Sequence, residues 1–379
     1  MKIALTCDWY SPRIGGLEMQ MKDLARELID RGHDVEVISS TPGDSLVEGV
    51  RVHRVEGPLL PKINMIYAPR TVRHLERLLV DGRYDLVHAH TAFSSLALLS
   101  CRLAKKHGIP SVLTEHSVLR GLGGALLGAI DRIAPWTTWP EVLTAVSSYV
   151  AKELERISGR EALVLPNGVK LDEWEPSSTV RSDARPRVTS VMRLFRRKRP
   201  VDIVRAIPRV HALVPAAQRP LFTLVGDGPE RKAVEREARR LRVTEHLELC
   251  GWQPRAEVKK VLARSSLFIL PTSKEALSIA TLEALSAGLP AVAMAHGGVG
   301  DIIQNGREGF LARDGAEFVG HIARICKDGE LRRHLQGNAR ASAARFSWPS
   351  VIDRHLEIYQ LAIERAGRSP RVTNPSVAA

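Results

Sequence analysis

Cysteine is scarce and scattered. Cys7, Cys101, Cys250 and Cys326 are the only four, and no C-x-x-C pair occurs, which excludes a zinc knuckle or a disulfide framework and reads as reduced thiols in a cytoplasmic protein. Long apolar runs are also missing: none approaches the roughly 18 to 20 residues of a spanning helix. The opening MKIALTCD turns acidic too soon for a secretory signal. No Asp-x-Asp occurs, so a divalent ion bridging a diphosphate by that device is not expected. Aromatic residues make up only 5%, and acidic residues are in deficit, 42 against 55 Lys plus Arg, for a net charge of +13. Such an excess favours anionic partners, whether nucleic acid, anionic lipid or phosphorylated substrates.

What is present is a globular chain of 379 residues, 44% hydrophobic and 26% charged, long enough for two or three domains. The charge is unevenly placed: the excess is +2 up to Lys170 and +11 beyond it. Its densest cluster is Arg185, Arg187, Arg193, Arg196, Arg197, Lys198 and Arg199, at the end of one predicted strand. A duplex-binding surface would spread its cations along a helix among aromatic or amide readers, and this cluster has few of either. A compact phosphate site fits better, and no nucleic-acid partner is expected.

Short apolar runs alternate with amphipathic stretches, the pattern of buried parallel strands with helices on both sheet faces. Strands are predicted over 3–7, 35–39, 50–55, 86–89, 111–114, 142–146 and 162–165. A second series covers 188–192, 222–225, 247–249, 267–270, 291–294 and 309–311. Leu17, Met21, Leu24 and Leu28 mark the first helix, which stops at Gly32. The pattern weakens over 171–186, read as a linker. The expected organisation is therefore α/β, with two Rossmann-like doubly wound domains, 1–170 and 187–347, facing each other across a cleft. A final amphipathic helix over 348–366 crosses back to the first domain, and 367–379 form a tail.

Five segments could carry chemistry, with the pair His88 and His90 weighed beside the second. Gly15 and Gly16, between the first strand and first helix, permit close ligand approach, although a glycine pair is also an ordinary turn. His116 ends the strand-like Leu113-Thr114-Glu115 and could bond a hydroxyl, or serve structure alone. His88 and His90 share a strand face, but no third metal ligand follows nearby. Arg193 and Lys198 offer a planar fork and a point charge suited to a diphosphate, with Arg196, Arg197 and Arg199 readable as a solvated loop. Gly226-Asp227-Gly228 lacks the third glycine of a dinucleotide fingerprint and licenses only close backbone approach. In the fifth segment Glu275 lies in a loop and Glu283 inside a helix that starts near Ser278, so that the amides of Ser278, Ile279 and Ala280 present a positive dipole end. Two carboxylates beside a phosphate site are costly unless they bind hydroxyls, as a sugar nucleotide would supply; otherwise they are ordinary surface glutamates.

Taken in order, these residues resemble the retaining glycosyltransferases of family 4, which have the GT-B fold. The resemblance runs through Gly15-Gly16, the V-H-A-H stretch ending at His90, Thr114-Glu115-His116, Val146-Ser147, Pro166-Asn167-Gly168-Val169, Arg193 to Lys198, Gly226-Asp227-Gly228, and Glu275 to Glu283 with Gly288-Leu289-Pro290. It implies that Glu275 binds donor-sugar hydroxyls, Glu283 the ribose, and Arg193 and Lys198 the diphosphate. It further implies that His116 contacts the sugar near the reacting carbon and that the glycine loop closes over phosphates and acceptor. Within the family the wording is most similar to the type that places N-acetylglucosamine on phosphatidylinositol. Three positions depart from the family: Ser278 and Arg199 stand where glycine is usual, and Lys170 where aspartate is usual.

The expected activity is transfer of a hexosyl unit from a UDP- or GDP-linked sugar to a hydroxyl of a lipid, inositol or glycan, with no metal and no separate cofactor. The expected location is cytoplasmic, with peripheral contact to an anionic membrane through residues 119–130, a stretch equally readable as a buried helix. A sugar-nucleotide 2-epimerase shares the fold and is the rival enzyme; a nucleic-acid-binding protein is the rival of another class.

Overall fold

The computed structural model describes residues 1–56, 68–174, 185–272 and 274–367; most of the expected linker and all but the first residue of the expected tail lie outside these. The chain divides into two compact units, one formed by Met1–Gly168 with Trp348–Ala379 and the other by Val169–Ser347. Each is built on its own parallel sheet.

The first sheet has eight strands in the order Leu46–Val47, Val50–Arg54, Asp34–Ser39, Lys2–Thr6, Leu86–His90, Ser111–Glu115, Val142–Ala145 and Ala162–Val164. All neighbours are parallel except the first pair. That antiparallel hairpin was not expected from the sequence: Leu46–Val47 is too short to show a pattern, and Glu48 and Gly49 both take positive φ, 49° and 83°, as a tight two-residue hairpin turn requires.

Because side chains alternate along a strand, Ile3 and Leu5 enter one core and Ala4 the other, so both faces are covered and the strands read as continuous apolar runs. The helix Gly16–Asp30 packs Met21, Leu24 and Leu28 against Ile3 and Leu5. The helix Trp348–Arg365 turns Val351, Ile352, Ile358, Tyr359, Ala362 and Ile363 into the same core, at the three-to-four spacing of one helical face.

The second sheet has six strands in the order Leu247–Gly251, Leu221–Val225, Arg187–Val191, Leu267–Leu270, Ala291–Met294 and Gly309–Ala312, all parallel. In both sheets the strand order reverses beside the strand that opens the unit: next to Lys2–Thr6 in the first and next to Arg187–Val191 in the second. The loops after the strands flanking such a reversal diverge, and ligands of open α/β sheets bind there.

Candidate functional site

In the second unit the two loops at the reversal follow Arg187–Val191 and Leu267–Leu270. They carry Arg193 to Lys198 and Glu275 to Ser278 respectively. Lys198 closes a short 3-10 turn, Arg196–Lys198, and its ammonium bonds the carboxylate of Glu275, 77 positions along the chain. Both side chains are largely buried, whereas Arg193, Arg196, Arg197 and Arg199 are exposed. The basic run is thus divided: one cation turns inward to a carboxylate at the reversal, and the others face solvent, with Arg199 pairing to Asp202 at 2.6 Å.

The helix Ile279–Ser286 begins one residue after Ser278, whose hydroxyl accepts from the Thr281 amide at 3.3 Å and meets the Thr281 hydroxyl at 2.8 Å. Ile279 and Ala280 are its first two residues and are partly exposed. Glu283 is buried a turn further on, 3.8 Å from Arg255, which also pairs with Glu173 at 3.3 Å and lies over the Trp174 ring at 5.2 Å.

Glycines set the loop geometry. A Cβ on Gly226 would fall 1.9 Å from the Met192 carbonyl oxygen and one on Gly228 2.7 Å from that of Leu194, so this turn packs on the loop that carries Arg193. The close approach foreseen at Gly226 is therefore to protein backbone. A pair absent from the sequence reading, Gly297-Gly298, supports the other loop: the Gly298 amide donates to the Glu275 carbonyl at 2.8 Å, and a Cβ on Gly297 would lie 2.6 Å from that oxygen. The signal, two glycines directly after the strand Ala291–Met294 and two further residues, was visible in the sequence.

Ser278 and Arg199 both adopt positive φ, 84° and 58°. These are the two positions where the resembled family has glycine, and an L side chain in the left-handed region costs roughly 1–2 kcal/mol. Gly at either position relieves that strain, while the lost N-cap of Ser278 costs only a few tenths of a kcal/mol. Arg199→Gly and Ser278→Gly are each expected to raise thermal stability, by about 0.5–1 kcal/mol, as read by urea or thermal unfolding; a lower midpoint in both would contradict this.

In the first unit the loops at the reversal carry Cys7 to Gly16 and Thr91 to Ser94. Here the dipole end of the helix Ser95–Lys106 is already occupied. Buried Asp8 accepts from the Ser94 hydroxyl at 2.9 Å, the Ser40 hydroxyl at 2.6 Å and the Leu96 amide at 3.2 Å. Asp8 was missed because its partners lie 32 to 88 residues away. Gly15 and Gly16 sit at the start of Gly16–Asp30, and neither has a positive φ, so no left-handed turn demands glycine there.

His116 follows the strand Ser111–Glu115, and its neighbour Glu115 is wholly buried. The Glu115 carboxylate accepts from the Thr91 hydroxyl at 2.9 Å, the Ala92 amide at 2.8 Å and the Ser117 amide at 2.7 Å, tying the two adjacent loops together. Burial raises its pKa to about 7 against those donors. His116 joins His88, His90 and His355 in the wall of one cavity, with Gln20, Thr114, Asn167 and Trp348. Burial lowers the pKa of all four imidazoles, His116 to about 3 and His355 to about 4, so the cluster is neutral at pH 7. Among the described residues no group of three or more His, Cys, Asp or Glu is arranged to hold a metal ion.

Two family models match the chain: Glycosyltransferase Family 4 over residues 14–173 and Glycosyl transferases group 1 over residues 173–342. A phosphatidylinositol N-acetylglucosaminyltransferase subunit from Arabidopsis thaliana is 25% identical over 383 residues, covering 97% of this chain and 84% of that one. D-inositol 3-phosphate glycosyltransferase of Acidothermus cellulolyticus is 28% identical over 409 residues, covering 95% and 89%. Among solved structures, Anabaena Alr3699/HepE in complex with UDP superimposes with a TM-score of 0.79 at 21% identity, covering 94% of this chain and 99% of that one, and shows the same fold, GT-B.

Proposed function

The chain belongs to the glycosyltransferases of family 4 and group 1, and from that premise we propose that it moves a hexosyl unit, N-acetylglucosamine first among candidates, from a UDP- or GDP-linked donor to a hydroxyl of a lipid, inositol or glycan, with retention. The supporting observation is the Lys198–Glu275 pair at the strand-order reversal of the second unit, beside the helix start at Ser278. In this arrangement the two groups satisfy each other. With donor, Lys198 turns to the diphosphate together with Arg193, and Glu275 turns to the sugar hydroxyls.

The amides of Ser278 to Ala280 then face the phosphates, Glu283 takes the ribose, and Gly226 shapes the Arg193 loop. His116 meets the sugar near the reacting carbon, with Gly15 and Gly16 toward phosphates and acceptor. As the bond from the anomeric carbon to the leaving oxygen breaks, charge grows on the diphosphate, and fixed cations and amides stabilise it. The leaving phosphate oxygen takes the acceptor's proton, and the new bond forms on the face the leaving group vacates. Positive charge comes from side chains, so this reading requires no metal.

The UDP complex of the Anabaena protein and the inositol-linked names of the two relatives favour a UDP-sugar and an inositol-bearing acceptor. The test is incubation with UDP-N-acetylglucosamine, alone and with inositol or phosphatidylinositol. Transfer only in the presence of acceptor, with the α-linkage retained, supports the proposal. Conversion of donor alone to its 2-epimer supports the isomerase instead. UDP at about 100 times its dissociation constant is expected to add about 2.7 kcal/mol of apparent stability.

Membrane contact is the second part of the proposal. The stretch read as either a membrane-contacting or a buried helix is a helix, Leu122–Ile133, and it is not buried throughout: Leu122, Leu126 and Ile133 are 93%, 62% and 89% exposed. They recur at four- and seven-residue spacing on one face, beside exposed Arg120 and Arg132. No helix among the described residues is long and apolar enough to cross a membrane. Co-flotation with phosphatidylglycerol vesicles is expected for the native chain and expected to fall at least tenfold in the double variant Leu122→Glu, Leu126→Glu; equal flotation of both would refute the contact.

A further inference from the structure

Four imidazoles of the first unit form a cluster of mutually tilted rings: centroids lie 4.1 Å apart for His88 and His90, 5.2 Å for His90 and His116, and 5.8 Å for His88 and His355, with planes inclined by 34°, 39° and 57°. Three of them have evident partners. His88 Nδ1 meets the Tyr359 hydroxyl at 2.8 Å, and its Nε2 meets the Thr114 hydroxyl at 2.7 Å, from which the chain continues to Thr144 at 2.6 Å. His355 Nδ1 donates to the Val351 carbonyl at 2.9 Å. His116 Nε2 lies 3.0 Å from His90 Nδ1.

His90 differs. It is 2% exposed, and its Nε2 has no hydrogen-bond partner among the described residues. Only one hydrogen can lie between His90 Nδ1 and His116 Nε2. If His116 donated it, neutral His90 would carry its own hydrogen on Nε2, as a buried N–H without an acceptor. If His90 donates, its Nε2 keeps only an unpaired lone pair. Buried orphan N–H groups are the rarer and costlier of the two. Charging either ring to satisfy both atoms is opposed by burial, which lowers both pKa values.

We propose that His90 is a positioning residue that donates from Nδ1 to His116 Nε2 and so fixes His116 as the Nδ1–H tautomer, which presents a neutral N–H donor to a ligand oxygen. A partner on one ring nitrogen decides what the other can offer. Among the described residues nothing in the protein bonds His116 Nδ1, but unlike His90 Nε2 it is not one of the fully buried unpartnered atoms, and His116 is only partly buried, so an N–H there is left for the ligand. The ligand atom that matches it is a hydroxyl or carbonyl oxygen; a protonated amine or an N–H group is rejected. The consequence for turnover rests on the proposed role of His116 at the sugar, whereas the tautomer does not.

The test is histidine-selective nitrogen-15 labelling of the full chain, which has 13 histidines, with His116 assigned by its loss in His116→Gln. Long-range proton–nitrogen correlation at pH 7.5 is expected to show His116 protonated at Nδ1. The pattern is expected to persist in His90→Asn, whose amide can donate from the same position, and to move toward Nε2–H in His90→Leu. Nε2–H in the native protein, or an unchanged pattern in His90→Leu, overturns the proposal. In the transfer assay His90→Leu is expected to lower kcat about 10- to 100-fold with little change in the donor KM, and His90→Asn to restore most of it. Equal loss in both variants overturns the positioning role. If no sugar nucleotide is turned over by the native protein, the proposed function fails while the tautomer measurement still decides this inference.

Discussion

Lys198→Ala is expected to lower turnover by roughly 100- to 1,000-fold, about 2.7–4 kcal/mol of transition-state stabilisation, the range seen when one preorganised donor to a developing oxyanion is removed. Lys198 stands out from the surrounding basic residues because it is the one seated against Glu275, largely out of solvent, while its neighbours Arg196, Arg197 and Arg199 are exposed. A fixed charge in that setting acts at higher effective strength than a solvated one. The substitution also leaves the Glu275 carboxylate without its cation, beside the diphosphate position proposed above, so donor affinity is expected to fall together with turnover. Lys198→Arg retains charge but replaces a compact ammonium by a planar fork, and recovery is expected to be partial. Arg196→Ala and Arg197→Ala serve as controls with near-native rates. Steady-state transfer kinetics decide the matter: Lys198→Ala turning over within threefold of the native chain would remove Lys198 from the site.

Acidification from pH 7 to pH 5 is expected to destabilise the first unit by at least about 2 kcal/mol. His355 and His116 have folded pKa values lowered to about 4 and about 3, so both stay neutral in the fold where the unfolded chain takes up protons. A depressed histidine contributes stability that is complete above the unfolded value near 6.5 and is lost as pH falls toward the folded one. At pH 5 that loss is about 2 kcal/mol for each of the two. His88 and His90 are lowered by burial as well and add in the same direction. Glu115 opposes them: its pKa is raised to about 7, so its contribution is complete below pH 4.5, is lost as pH rises through 7, and returns about 2 kcal/mol on going from pH 7 to pH 5. The histidines win because they are more numerous. Urea midpoints at the two pH values measure the difference, and a single buried change, His355→Gln, is expected to reduce it; a midpoint that holds or rises at pH 5 would contradict the account.

The strands were legible because those buried on both faces are written as apolar runs. The predicted and observed limits of Leu267–Leu270 and Ala291–Met294 coincide, and most others differ by one residue at an end. The hairpin at Leu46–Val47 was not legible, since two residues carry no period. Candidate site residues could be picked out one at a time, where a strand end met a glycine, a cation or a carboxylate. Their pairings were not: Lys198 with Glu275, Asp8 with the start of Ser95–Lys106, and His88 with Tyr359, 271 positions away, are consequences of strand order, which no local pattern encodes. The odd residues Arg199 and Ser278 were visible as departures, and only the backbone explains why they matter: each occupies a left-handed position.

The helix Trp348–Arg365 gives the molecule a timetable. The first unit begins with Lys2–Thr6, yet the core against Ile3 and Leu5 is completed by Val351, Ile352 and Tyr359. A chain that emerges amino end first must make residues 169–347, which form a unit of their own, before that face can be closed. The first half therefore waits with apolar surface uncovered while the second half folds, and any interruption of synthesis before residue 365 strands it in that state. Loss of the last helix would be felt first at the opposite end of the sequence.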